Sequence, residues 1–244
     1  YEVQTERLKK MYRTDRLATL GELAAGAAHE IRNPLTAIRS TIQYLSKDFS
    51  SDPVKNEMMT ELISEVERIN KIVQGLLSFA RPSALDTSEV NIEQLINQTL
   101  LLVTNTLRKQ NVEVEFEYFT DNTTIQADAE QLKQVFLNII LNAVEAMSKN
   151  PPDRSRTLII SIEKGAPINS HSRYLILSFE DTGKGIEQKD IENVFNPFFT
   201  TKEEGTGLGL AICYGIINRH EGEIEIKSTP GKGTCMNVKL PQRI

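Results

Sequence analysis

Residues 14–45 read TDRLATLGELAAGAAHEIRNPLTAIRSTIQYL, and their spacing decides the first part of the fold. Apolar or small side chains recur at Leu17, Leu20, Ala24, Ala27, Ile31, Pro34, Ile38 and Ile42, in steps of three and four. That is the seam of a long helix packed in coiled-coil fashion. The stretch Asp48 to Pro53 interrupts it. A second run then places Leu62, Val66, Ile69, Val73, Leu76 and Ala80 at the same steps. It ends before Arg81-Pro82, because a residue preceding proline avoids the helical region. Two long amphipathic helices and a short loop predict an antiparallel hairpin. One hairpin cannot cover both apolar stripes, whereas two can, so a dimeric four-helix bundle is expected.

Beyond Arg81-Pro82-Ser83-Ala84 the pattern changes. Residues 91–109 read as helix, with Ile92, Leu95, Ile96, Thr99, Leu102 and Val103 as the buried face. Residues 112–116 alternate as a strand, 129–149 as a helix, and 157–163 and 174–181 as strands. A helix over 211–220 and strands over 223–228 and 234–240 complete the chain. Mixed strands and helices of this kind predict an α/β sandwich. The expected class is therefore α+β: a helical hairpin over 1–81, a linker over 82–90, and a sandwich domain over 91–244.

The composition narrows the function. The 244 residues carry 28 Lys and Arg against 33 Asp and Glu, a net charge of −5, with no basic run, which sets nucleic acid aside. Hydrophobic residues at 39% and charged residues at 25% describe an ordinary folded protein. Cys213 and Cys235 stand in no metal-ligand spacing and read as small buried hydrophobes. No apolar run reaches the ~18 residues of a membrane span. The chain begins at Tyr1, and we expect a cytoplasmic piece of a longer, membrane-anchored protein.

His29 falls two residues before Ile31, off the apolar seam. A lone surface histidine is usually decoration, but its neighbours are Glu30, Arg32, Asn33 and Pro34. A mid-helix proline costs about 3 kcal/mol and needs a reason. Neutral imidazole is a competent nucleophile near pH 7. An adjacent carboxylate can hold its tautomer and accept its proton, and Asn33, one turn on, can orient a water.

Four more strings follow. Asn138 and Asn142, in Asn138-Ile-Ile-Leu-Asn142-Ala-Val-Glu145, share one helical face; alone they would read as surface amides. An amide oxygen there suits Mg²⁺, which takes few protein ligands. Asp181-Thr-Gly183-Lys-Gly185 follows a strand, where glycines allow close backbone approach, although such a string is often only a turn. The aromatic string Phe195-Asn-Pro197-Phe198-Phe199 reads as core and as the hinge of a lid, with Lys202 able to reach phosphates. Gly205-Thr206-Gly207-Leu208-Gly209 opens a helix, whose orphan N–H groups and dipole attract phosphate. It lacks the pattern of a Rossmann or Walker loop.

These strings, in this order, resemble the H-box, N-box, G1, F-box and G2 elements of two-component sensor histidine kinases, over about residue 17 to the C-terminus. The resemblance implies a Bergerat (GHKL) ATP-binding sandwich of the type shared with gyrase and the Hsp90 chaperones. It implies ATP and Mg²⁺ as cofactors. It makes His29 the phosphoacceptor, Glu30 the general base and Asn33 the residue that assists the reverse phosphatase reaction. It assigns Asn142 to the metal, Asn138 to the phosphates and Asp181 to the adenine amine. Gly183 and Gly185, Lys202, and Gly205, Thr206, Gly207, Leu208 and Gly209 complete the ATP site. Glu145 departs from a basic residue common in the family, which leaves Lys202 as the expected phosphate cation. Implied partners are a second copy, a response-regulator receiver domain, and small inhibitory proteins at the base of the hairpin. Within the family the chain looks most like the sporulation kinases of spore-forming Gram-positive bacteria, including a membrane-anchored member. The rival readings are a clamp ATPase, which lacks a carboxylate base at Asn138 and leaves His29 unexplained, and an inactive dimeric scaffold.

Overall fold

The computed structural model describes residues 31, 34–46, 52–80, 85–151, 153–169, 172–202 and 205–243. His29, Glu30, Asn33, residues 47–51 and residues 81–84 lie outside them, as do the residues before Ile31. The described residues fall into two compact units. One takes the helices before residue 84 together with 196–212; the other takes 84–195 with 213–244.

In the first unit, α1 (34–46) and α2 (Pro53–Ala80) are helical. Asp52 starts α2: its carboxylate accepts the Lys55 N–H (3.3 Å), and Pro53 takes the first helical position, where no donor is lost. Leu35 and Ile42 of α1 cluster with Val66 and Val73 of α2, each pair seven residues apart, with Met59, Ile63 and Ile69 packed alongside. Arg39 and Glu67 bridge the two helices at 3.2 Å. The buried stripe differs from the expected seam. Leu35 replaces Pro34, while Ile31, Ile38 and Leu62 are exposed. The physical reason is that α1 carries two heptad stripes. The 35/42 stripe meets α2, and the 31/38/45 stripe is left open within one chain.

In the second unit, β2 (Glu113–Tyr118), β4 (Thr157–Asn169), β5 (Ser172–Asp181), β7 (Gly233–Arg243) and β6 (Glu223–Thr229) form one sheet in the order β2-β4-β5-β7-β6. β2 runs parallel to β4; the other pairs are antiparallel. β1 (Ser88–Asn91) and β3 (Thr124–Ala127) form a second, two-stranded sheet. Helices α3 (Ile92–Lys109) and α4 (Ala129–Ser148) are capped by Asn91 and Asp128, whose side chains accept the N–H of Gln94 and Gln131. The core lies between the helices and one sheet face. Leu175, Leu177 and Phe179 alternate inward from β5, and Phe136 of α4 meets Phe179 with ring centroids 5.8 Å apart. Burying side chains of this size contributes about 1.5–3 kcal/mol each.

Three elements were not legible in the sequence: β1, β3 and the one-turn helix α5 (Gln188–Ile191). β1 begins inside the stretch expected to be linker. Leu102 is exposed, and Leu107 completes the buried face of α3 instead.

Candidate functional site

The second unit assembles half of the expected site. On α4, Ile139, Ile140, Ala143, Val144 and Met147 are buried, which turns Asn138, Asn142 and Ala146 onto a half-buried face at intervals of four. Asn138 hydrogen-bonds the thiol of Cys213, which burial pushes up to about 12. A turn after Asn142, the Ala146 carbonyl accepts the Lys184 N–H at 3.2 Å. The Asp181 loop therefore docks on the C-terminal end of α4.

Asp181 closes β5 and is 7% exposed. Its Oδ1 accepts the Gly183 N–H at 2.7 Å. Burial raises its carboxyl from 3.8 to about 6, against the lowering effect of N–H groups from Gly183 and Thr234 and of the Arg154 charge. The group is ionised at pH 7 and remains a strong acceptor. The glycines follow from close approach. A Cβ on Gly183 would stand 2.8 Å from that of Ala146. Gly185 has φ 72, and a Cβ there would strike the Thr229 carbonyl oxygen.

The loop is braced from residues outside the quoted strings. Arg154 donates to Gly183 O (2.8 Å), Asn150 to Thr182 O (3.0 Å), and Thr182 Oγ1 to Ser155 O (2.8 Å). Gly231 N–H donates to Lys184 O (2.7 Å). Arg154 and Asn150 sit in a polar turn after α4 with no periodicity to single them out.

The other unit holds Lys202, Thr206, Gly207, Leu208 and the first turn of α6 (Gly209–Arg219). Thr200 Oγ1 accepts the Lys202 N–H (3.1 Å), and the Lys202 carbonyl accepts the Gly205 N–H (3.4 Å). Gly207 has φ 67, and a Cβ there would collide with the backbone of Phe198, itself at φ 65. Leu208 N–H meets Thr206 Oγ1 at 3.4 Å, and Leu208 O accepts Ile212 N–H as the helix begins.

His220 packs inside the second unit. It follows α6, where a cation would be favoured, yet it is buried and lowered from 6.5 by that burial. Nδ1 lies 2.9 Å from Ile216 O, and Nε2 accepts the Asp128 N–H at 3.0 Å. A ring that donates from Nδ1 and accepts at Nε2 is neutral. His171 lies outside the described residues.

Residues 19–85 match the His Kinase A (phospho-acceptor) domain, and residues 127–244 the histidine kinase-, DNA gyrase B- and HSP90-like ATPase. The signal transduction histidine-protein kinase AtoS of Escherichia coli is 42% identical over 97% of this chain, which spans 37% of AtoS. Sporulation kinase E of Bacillus subtilis is 37% identical over 98% of the chain, which spans 30% of that kinase. The chain thus spans well under half the length of these two relatives. Among solved structures, the nucleotide-free catalytic domain of histidine kinase ThkA superposes with a TM-score of 0.54 at 30% identity, covering 64% of this chain and 96% of that one. ThkA in complex with the response regulator protein TrrA gives 0.67 at 29% identity, covering 97% and 66%. Relatives from the AtoS branch and from the sporulation branch both stand near this chain. The chain belongs to the histidine kinases, with a phospho-acceptor helical domain followed by an ATPase domain.

Proposed function

We propose that the chain is the kinase core of a two-component sensor. It binds ATP, phosphorylates His29, and passes the phosphoryl group to an aspartate of a response-regulator receiver domain. The observation that carries this reading is Asp181. It is a buried carboxylate fixed by backbone donors at the end of β5, beside the helix that bears Asn142. Such a group serves as an acceptor for the adenine amine.

Asn138 and Asn142 would face the phosphates, with Lys202 and the backbone of 205–209 drawing on charge and the helix N-terminus. Asn142 would hold Mg²⁺, which supplies charge neutralisation at the phosphates when bound. A neutral amide fits that ion, since the phosphates bring the remaining oxygens. Among the described residues no cluster of His, Cys, Asp and Glu competes as a metal site. Positioning and charge neutralisation then account for most of the catalysis. Glu30 would orient the His29 ring and take its proton, and Asn33 would place a water for the reverse reaction. The Arg32, Arg39 and Gln43 region offers a docking surface for the receiver domain, a partner supported by the complex formed by ThkA.

The exposed 31/38/45 stripe, with Val54, Met58 and Leu62 on α2, favours a homodimer, because a second hairpin would cover it. The division into a hairpin over 1–81, a linker and an ATP-binding domain remains our reading, with β1 moved into the latter. Sporulation control, membrane anchoring of the longer protein, and inhibitors at the hairpin base belong to the same proposal. Sporulation kinase E supports the first of these. Among the described residues no helix is long and apolar enough to cross a membrane. The test is titration with ATP and with ADP, with and without Mg²⁺. Asn142→Ala should lose the Mg²⁺-dependent gain in affinity and keep metal-free binding. An unchanged Mg²⁺ effect would contradict the assignment.

A further inference from the structure

Among the described residues the sheet ends in two edge strands, β2 and β6. β2 stands last in the order and pairs with β4 alone. Its parallel ladder turns alternate residues inward: Glu113 N–H donates to Arg156 O and Phe119 N–H to Ile162 O, both at 2.9 Å. The N–H and C=O of Val114, Phe116 and Tyr118 therefore point away from β4. Protein edges are usually blunted by charge, proline or a covering loop. Here the outward-facing residues include an aromatic pair, Phe116 and Tyr118, stacked with centroids 5.7 Å apart and both exposed.

Their partners in register, Ile160 and Ile162, belong to the core, so the two rings lie at the rim of the helix-bearing face. Asn97 of α3 is a polar neighbour of the Tyr118 hydroxyl. On the opposite face of the same edge Glu113, Glu115 and Glu117 are all exposed. The edge thus combines unpaired backbone, an apolar ledge and a row of carboxylates.

We propose that this edge of β2 takes an extended segment of a partner protein in which apolar residues alternate with lysine or arginine. Its backbone would pair with Val114, Phe116 and Tyr118. Its apolar side chains would cover Phe116 and Tyr118, and its cations would meet the three glutamates. The charges disfavour a second copy of this chain, since pairing β2 with itself sets glutamate rows against one another.

The test uses the 244-residue chain and two labelled peptides of equal composition. One alternates, Lys-Val-Lys-Ile-Lys-Val-Lys; the other groups its lysines, Lys-Lys-Lys-Lys-Val-Ile-Val. The alternating peptide should bind saturably, about tenfold tighter than the grouped one. It should slow amide exchange at Val114, Phe116 and Tyr118. Glu115→Lys with Glu117→Lys, both at exposed positions, should weaken it by roughly tenfold while thermal unfolding stays unchanged. Phe116→Pro removes an outward N–H, leaves the ladder to β4, and should abolish the protection. Equal binding of both peptides, protection outside β2, or a β2-mediated dimer that the peptide displaces would each overturn the proposal.

Discussion

Asp181→Asn should weaken nucleotide binding and, at neutral pH, should not cost the chain stability. In the wild type, burial holds the Asp181 carboxyl at about 6 against an ordinary 3.8. An acid raised on folding binds more protons folded than unfolded. Its stability contribution is present below the unfolded value and is lost as pH rises through the folded one. The gap from 3.8 to about 6, at about 1.4 kcal/mol per pH unit, is roughly 3 kcal/mol lost between pH 4 and pH 7. Asparagine stays neutral at every pH, keeps one acceptor for the Gly183 N–H and removes that loss. At pH 4, where the wild-type carboxyl is neutral too, the two chains should be about equally stable, while at pH 7 the variant should be the more stable by up to roughly 3 kcal/mol. Chemical denaturation of both proteins at half-unit steps from pH 4 to 7 reads the difference directly. ATP affinity should fall by about tenfold to a hundredfold, the worth of one hydrogen bond to a charged group. A stability difference that stays flat across this range, or an Asn variant that binds ATP as well as wild type, would refute the reasoning.

Three further outcomes follow from the same geometry. Ile38→Glu places a charge on the exposed 31/38/45 stripe and, by two-fold symmetry, alters two contacts at about 1.5–3 kcal/mol each, so sedimentation should show monomer where wild type shows dimer. His220→Leu leaves the buried Asp128 N–H without its acceptor and should cost about 1–3 kcal/mol at pH 7.5. Because burial lowers His220, its contribution fades as pH falls below 6.5, so the deficit should shrink at pH 5.5; a constant deficit speaks against the neutral ring. Gly185→Ala forces a side chain onto φ 72 against the Thr229 carbonyl and should destabilise by about 2 kcal/mol or more, measured as a drop in Tm; an unchanged Tm would show that the turn has another conformation to use.

The order of elements in the second unit was readable because its strands alternate and its helices carry regular apolar faces. The ends of α3 and α4 fell within a residue or two of expectation, since Asn91 and Asp128 are ordinary caps. What escaped reading had no local signal. β1 and β3 are four residues each and gain their identity only by pairing with one another. Leu102 and Leu107 both fit a helical stripe, and the sheet decided between them. In the hairpin, α1 offered two heptad stripes, and spacing could not tell which faced α2. At the site, Asp181 and its glycines were legible as a string, and the structure supplied the cause: each glycine is where a neighbouring backbone or side chain leaves no room for a Cβ. Arg154 and Asn150 brace the loop through its carbonyls, a role that leaves no pattern in sequence.

Phosphoryl transfer to His29 is tested by incubation with radiolabelled ATP and Mg²⁺, with wild type and His29→Gln side by side. Wild type should gain acid-labile, base-stable label and the variant none. Hydrolysis of ATP by both, with label on neither, would contradict it and favour an ATPase that never uses the histidine.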